Sequence, residues 1–287
     1  MTGAIGADLA GRTCLVTGAS AGIGKEVARG LARLRARVIL ACRNRDKGEA
    51  VRREIAESAS NPDVDLSIVD LAVQRSIRDF AGRLLARGEP LAVLVNNAGV
   101  WLERREETPD GIERVWATNM LGYFLLTDLL RPLLEKSAAA RVVNVASELA
   151  HDLDIGDVEF RRRRFSGVTA YAQSKQANRM WSWALDRRMS GSGVTVNAAH
   201  PGGVATEIFK KGGGLLSRAV DLYARASFKT PAEGADTILW LAASPEVQGQ
   251  TGRFWADRRE RACRFRGTAG EDALWDLCAR MTAAAKG

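Results

Sequence analysis

The sequence predicts a single α/β domain spanning residues 1–287: a doubly wound parallel sheet of about seven strands with helices on both faces. Three observations predict it. Short apolar, β-branched runs alternate with amphipathic stretches along the whole chain. A glycine-rich turn follows the first such run directly. Neither an internal repeat nor a low-complexity linker divides the sequence.

The first strand is expected in TCLVTG (13–18), the second in RVILAC (37–42), the third in VDLSIVDL (64–71) and the fourth in LAVLVNN (91–97). Their density of Val, Ile and Leu is the pattern of strands covered on both faces. RVVNVAS (141–147), VTVNAAH (194–200) and GRFWAD (252–257) continue the series. Helices fit between them at about 22–35, 46–58, 74–87, 110–136, 169–190 and 232–243. A last helix near 271–284 places Ala273, Leu274, Leu277 and Cys278 on one face. Two segments break the rhythm: the connection 148–168 and the insertion 203–230. Long loops at the carboxyl ends of parallel strands are where such sheets place ligand contacts. The triple glycine Gly212–Gly214 gives the insertion the backbone freedom of a substrate lid.

Composition narrows the function classes. The net charge of +8 raises the question of nucleic acid. Only eight of the 42 basic residues are Lys, and the arginines are interspersed with acids. The one dense cluster, Arg161–Arg164, has no stacking-aromatic motif or zinc-finger spacing beside it. A solvated basic surface and no nucleic-acid partner are therefore expected. A basic binder of nucleic acid or of a membrane surface would have to rest on Arg161–Arg164 with Lys210, Lys211, Arg218 and Arg225. Cys14, Cys42, Cys263 and Cys278 form no C-x-x-C pair, and His151 and His200 are far apart, so no metal is expected. No apolar run approaches membrane-span length, and MTGAIGADLAGRT lacks the layout of a signal peptide. The expected location is cytoplasmic.

Gly18, Gly22 and Gly24 occupy the turn between the first strand and its helix. Such a turn lets the backbone approach a pyrophosphate, with free N–H groups of the helix N-terminus beyond it, the Rossmann-type arrangement. Where an NAD site usually carries an acid, at the end of the second strand, the chain has Arg43. A guanidinium there can pair with a 2′-phosphate, so NADP(H) is expected over NAD(H); the alternative is that Arg43 simply points to solvent. Asp70 is placed either to accept from an adenine amine or to shape a turn. Asn96–Gly99, NNAG, can bridge strands and hold the neighbouring ribose, or be a plain polar strand end. Tyr171 and Lys175, four apart, share a helix face, where a cation would bring a phenol into acid/base range. A solvated Tyr–Lys pair is the alternative on spacing alone.

Together these residues resemble the short-chain dehydrogenase/reductase family, and within it most closely the retinol dehydrogenase branch. The resemblance rests on T-G-x-x-x-G-x-G at Thr17–Gly24, N-N-A-G, a Ser ending the fifth strand, Y-x-x-x-K at Tyr171–Lys175, and Pro201–Gly202 with Thr206 beyond. DGIERVWATNMLGYFLLTDLL, HPGGVATEI and LWDLCARM follow that branch's order. Ala21 stands where NADP-preferring members often carry a basic residue, and the membrane-anchoring N-terminal segment of many retinoid enzymes is not expected here. What the resemblance implies is an oxidoreductase that transfers hydride between a nicotinamide cofactor and a carbonyl or alcohol. Tyr171 would be the proton donor, Lys175 its charge partner and a ribose ligand, Ser147 a donor to the substrate oxygen, and Asn119 the holder of a water. Gly18, Ser20, Gly22, Ile23, Gly24, Arg43, Asp70, Leu71, Asn97, Ala98, Gly99, Pro201, Gly202, Val204 and Thr206 would line the cofactor. A catalytically inactive nucleotide-binding regulator or scaffold of the same fold is the alternative.

Trp101, Phe165, Phe209, Leu215, Leu216 and Tyr223 lie in or beside the expected mouth, which points to a lipophilic small-molecule substrate. Trp181 and Trp183, two apart on a helix, cannot share one face, so one indole is expected to point outward. A homodimer through this helix or a covering C-terminal helix would account for it.

Overall fold

The computed structural model describes residues 5–203 and 229–283. Its strands are β1 (Thr13–Thr17), β2 (Arg37–Cys42), β3 (Val64–Ile68), β4 (Leu91–Asn96), β5 (Arg141–Val145), β6 (Thr195–His200), β7 (Arg253–Ala256) and β8 (Arg259–Glu260). They form one sheet in the order β3-β2-β1-β4-β5-β6-β7-β8, parallel except for the antiparallel β7–β8 pair. The order reverses between β1 and β4, which opens a crevice beyond their carboxyl ends. Seven expected strands are present. The eighth is two residues long, added through a turn in which Asp257 and Arg258 both have positive φ, 52° and 55°. That is the backbone a two-residue hairpin needs, here without the usual Gly or Asn. Arg258 is held in it by Asp236, at 2.6 and 2.8 Å, and by the Thr237 hydroxyl at 3.1 Å.

The helices are α1 (Gly22–Arg33), α2 (Arg45–Ala59), α3 (Gln74–Arg87), α4 (Arg114–Trp116), α5 (Gly122–Glu135), α6 (Gly167–Arg188), α7 (Pro231–Ala243) and α8 (Thr268–Thr282). Local chemistry sets their ends. Asn44 caps α2 by accepting the Lys47 N–H at 2.8 Å, α3 stops at Gly88 in the left-handed region, and Thr230 with Glu233 forms a capping box ahead of Pro231. Apolar residues alternate along the strands between two cores. Cys14 and Val16 of β1 pack with α1, α2 and α7, while Leu15 packs with α3, α5, α6 and α8. Cys14 and Cys42 are reduced and buried, which pushes their thiols up to about 12 and about 11.

The segment expected as one helix over 110–136 is divided. Between α4 and α5, Ala117–Leu121 forms a π turn, whose hydrogen bond spans one residue more than that of an α-helix: the Gly122 N–H donates to the Ala117 carbonyl. The start of α4, ahead of this turn, is fixed by Glu113, fully buried, whose carboxylate accepts the N–H groups of Val115 and Trp116 at 2.8 and 2.7 Å. Burial pushes that carboxyl up from 4.5 to about 7, against those two bonds and the nearby Arg105 charge. Between those pH values the folded protein holds a proton that the unfolded chain has released. Its contribution to stability therefore falls as pH rises through about 4.5–7 and stays lost above. Urea denaturation of Glu113→Gln should show a flatter decline from pH 5 to 7.5 than the wild type. Equal slopes would remove Glu113 as the source.

The last helix buries Glu271, Leu274, Cys278 and Thr282, so the expected face is corrected: Ala273 points to solvent and Leu277 is half-buried. The outward indole is also corrected. Trp181 and Trp183 are both buried, because α6 is covered on two sides rather than one. Trp181 lies 6.3 Å from Phe124, ring to ring, and Trp183 donates to the Gly252 carbonyl at 3.0 Å. Trp275 of α8 covers Phe124 edge-on at 4.9 Å, beneath the Arg188 guanidinium at 4.2 Å. No exposed Trp on α6 remains to argue for a second copy.

Candidate active site

The crevice between β1 and β4 is floored by bare backbone. Gly18 has φ 66°, and a Cβ there would lie 2.7 Å from Ala98 Cα; a Cβ on Gly24 would lie 2.4 Å from Asn97 Nδ2. Both positions therefore require glycine. α1 begins at Gly22, with no side-chain cap and no acid in its first turn. Its first N–H groups are left without internal partners. The Ser20 hydroxyl bonds the Cys42 thiol and ties the glycine turn to the end of β2. Arg43 follows, exposed, with no ion pair among the described residues. An uncapped helix end, a turn without room for side chains and a free guanidinium fit the phosphates of a dinucleotide. Ile23 is buried under the turn.

Asp70 is engaged in a turn, its Oδ1 accepting the Ala72 N–H at 2.9 Å, and Leu71 beside it is buried. Asn97 donates to the Thr17 carbonyl at 2.9 Å, while the N–H groups of Asn97 and Ala98 reach Thr17 Oγ1 at 2.9 and 3.1 Å. Asn96 turns inward, to Asn144 at 2.8 Å and Thr127 at 3.0 Å. NNAG thus bridges β1, β4 and β5 by side chains. Gly99 faces the centre: a Cβ on it would be 3.6 Å from Asn119 Oδ1 and 3.9 Å from Lys175 Nζ.

Tyr171 and Lys175 are not a solvated pair. Lys175 is 3% exposed and Tyr171 half-buried. The Lys175 ammonium donates to the Val145 carbonyl at 2.8 Å and lies 5.6 and 5.7 Å from the ring centres of Tyr171 and Tyr123. Burial lowers it from 10.5 to about 7. The expected depression of the Tyr171 pKa is corrected: burial raises it, and only the hydrogen bond with Ser147 works the other way. A lysine held near half-charge, with its N–H on a carbonyl, does not by itself overcome the desolvation of the phenol. Ser147 lies two residues beyond β5, its Oγ also accepting the Leu149 N–H at 3.2 Å.

Asn119 sits in the π turn, not a regular helix interior. Its carboxamide clasps Val100 from both sides, accepting from its N–H at 2.8 Å and donating to its carbonyl at 3.1 Å, and also donates to Ser174 at 3.1 Å. Its own carbonyl accepts from Asn178 at 2.8 Å. Both donors of the side chain are thus engaged on protein. Ser174, Asn178, Arg179 and Tyr123 were not foreseen. The signal was available: Tyr171, Ser174, Lys175, Asn178, Arg179 and Ser182 recur at helical spacing, a polar stripe along one face of α6. Tyr123 bonds the Ala98 carbonyl at 2.8 Å and closes the site from below.

Trp101 lies against Tyr171, ring centres 5.3 Å apart. Phe165 instead packs on Phe160 at 5.1 Å, away from the phenol's own ring contacts. Arg161, Arg162 and Arg164 are exposed, as a solvated basic surface requires; the backbone N–H groups of Arg161, Arg162 and Arg163 wrap the Asp157 carboxylate at 2.7, 3.2 and 3.0 Å, and Arg163 stacks on Phe160 at 4.3 Å. Pro201 and Gly202 follow β6, Gly202 with φ 88° against the methylenes of Lys229. Val204, Thr206, Phe209, Leu215, Leu216, Tyr223, the glycines 212–214 and the basic residues 210, 211, 218 and 225 lie outside the described residues. Among the described residues no helix is long and apolar enough to cross a membrane.

A family model described as short chain dehydrogenase matches residues 12–213. The chain is 40% identical over 269 residues to human retinol dehydrogenase 14, covering 87% of this chain and 79% of that protein. It is also 40% identical to mouse polyprenol dehydrogenase, covering 96% of this chain and 85% of the other. A solved protein from Mycobacterium paratuberculosis superposes with a TM-score of 0.77 at 32% identity, covering 96% of each chain. A short chain dehydrogenase from Shigella flexneri complexed with NADP superposes with a TM-score of 0.67 at 29% identity, covering 86% of this chain and 96% of that one.

Proposed function

Because the chain belongs to the short-chain dehydrogenase family, in its retinol dehydrogenase branch, we propose that it exchanges hydride between NADP(H) and a lipophilic aldehyde, ketone or matching alcohol. That it is an oxidoreductase acting on CH–OH and C=O groups follows from the family and its named relatives. The observation that carries the rest is the Ser147–Tyr171 hydrogen bond with the buried Lys175 ammonium beside the same ring. When bound, the nicotinamide supplies or accepts the hydride. The residues do the proton work. Ser147 donates to the substrate oxygen and fixes its angle, and Tyr171 gives its proton as negative charge develops there. In the oxidising direction the phenolate takes the proton back. Lys175, its charge state poised near neutrality, biases the phenol and reaches the ribose hydroxyls. Asn119 holds the π turn and Val100 in place beneath this group.

Arg43 supports NADP(H): it follows β2 with no carboxylate partner among the described residues, and three solved relatives are described with NADP or NADPH. Trp101 against Tyr171 supports a lipophilic substrate, as do relatives named for retinol and polyprenol. The test is initial rates with NADPH and NADH over retinal, farnesal, decanal and small polar aldehydes. NADPH should give the higher kcat/KM, and Arg43→Asp should reverse the order by weakening NADPH. A wild type preferring NADH would overturn the cofactor assignment. NADPH binding with no turnover on any carbonyl would favour the inactive regulator.

A further inference from the structure

The stripe on α6 continues past Lys175 to Arg179, one further turn along. Arg179 is 7% exposed, its guanidinium flat against Phe254 at 3.8 Å. One arm donates to the main-chain carbonyl of Ser147 and the other reaches Cys263 Sγ at 3.7 Å. Nε is buried without an acceptor, and no described carboxylate pairs with the group. Burial accordingly lowers its pKa. A desolvated cation whose hydrogen bonds go to neutral acceptors, with Glu148 acting on it only at longer range, is poor for stability; apolar residues of similar volume usually serve as well or better. Its value lies in what it holds.

What it holds is the residue after the sheet has let go. The β5 ladder ends at Val145, and the Ala146 N–H makes the last backbone–backbone bond to β6, to Ala199 at 2.8 Å; after Ser147 the Glu148 N–H reaches only a β6 side chain, His200 Nδ1, at 3.2 Å. Beyond it, an open groove of about 530 Å³ borders Glu148, Cys263 and Arg179, so Arg179 is the side chain that reaches the Ser147 carbonyl from this side. We propose that Arg179 is a positioning residue, pinning the Ser147 carbonyl so that the Ser147 hydroxyl stays on the Tyr171 phenol. This rests on the role given to Ser147 above.

Arg179→Met tests it, measured with the fastest aldehyde of the panel. kcat should fall, by up to roughly 100-fold for a displacement of about 1 Å, with NADPH affinity unchanged and Tm not lowered. Arg179→Lys, which keeps a donor, should retain more activity than Arg179→Met. In a Ser147→Ala background Arg179→Met should cause no further fall, because both remove the same contact. A readout free of turnover accompanies it: tyrosine labelled at ¹³Cζ gives one line for each of three tyrosines, and Tyr171→Phe identifies the relevant one. Arg179→Met and Ser147→Ala should move that line alike, and the double variant no further. Independent, multiplying losses in kcat, or a line that Ser147→Ala moves and Arg179→Met leaves in place, would overturn the proposal. If Ser147→Ala changes neither kcat nor the line, the role of Ser147 itself fails, and this inference with it.

Discussion

Tyr171→Phe is expected to lower kcat by roughly 10²–10⁴-fold, the usual contribution of a positioned general acid. The ring is still there to pack against Trp101, 5.3 Å away, so neither folding nor NADPH binding should change. What is lost is one hydroxyl, together with its bond to Ser147. The phenol's pKa is raised in this structure, so the chemistry is best suited to the protonated form giving up a proton to an alkoxide. Oxidation, which needs the phenolate, should speed up with rising pH more steeply than reduction does. Single-turnover rates in both directions check this. Retention of more than about a tenth of kcat would take Tyr171 out of the mechanism.

Lys175→Met should nearly abolish turnover and yet stabilise the fold at acidic pH. The ammonium is buried, and its pKa falls from 10.5 to about 7. Between those values the unfolded chain holds a proton that the folded protein lacks, so wild-type stability rises with pH across about 7–10.5. Below pH 7 both states are protonated and the full cost of burying the charge is present. Lys175→Met removes that cost, which is on the order of a few kcal/mol. The gain should be largest below pH 7 and shrink toward pH 10, where the lost bond to Val145 counts against the variant. Melting curves at pH 6 and 9.5 measure the difference. A variant less stable than wild type at pH 6 would mean that the carbonyl bond outweighs desolvation.

The fold was legible wherever one periodicity served one environment. RVILAC reads as a covered strand and is one over the same six residues, Arg37–Cys42. VDLSIVDL was read too long, because β3 ends at Ile68 and Asp70 turns the chain by bonding Ala72. The π turn could not be read, since it depends on Asn119 clasping Val100, nineteen residues away. Neither Trp181 nor Trp183 points outward, and the covering C-terminal helix, one of the two alternatives, is the one present. The geometry of about 100° per residue was sound, but α8 and the chain before β7 bury the other face. The placement of Tyr171, Lys175 and Ser147 together followed from motif order. Their ionisation did not, because desolvation is a property of the packed site and not of spacing.

Helix α6 buries 14 of its 22 residues, six of them polar: Gln173, Ser174, Lys175, Asn178, Arg179 and Ser182. Hydrophobic collapse alone cannot draw such a surface inward, because each group needs its acceptor or donor already in place. Those partners come from distant chain: Val158 for Gln173, Asn119 for Asn178, Val145 for Lys175 and Asn144 for Ser182. The α6 surface is therefore satisfied only against the finished sheet and π turn, and neither can be completed as a buried surface without the other. Catalytic competence is in this sense a property of the whole packed domain and not of the helix that carries Tyr171 and Lys175.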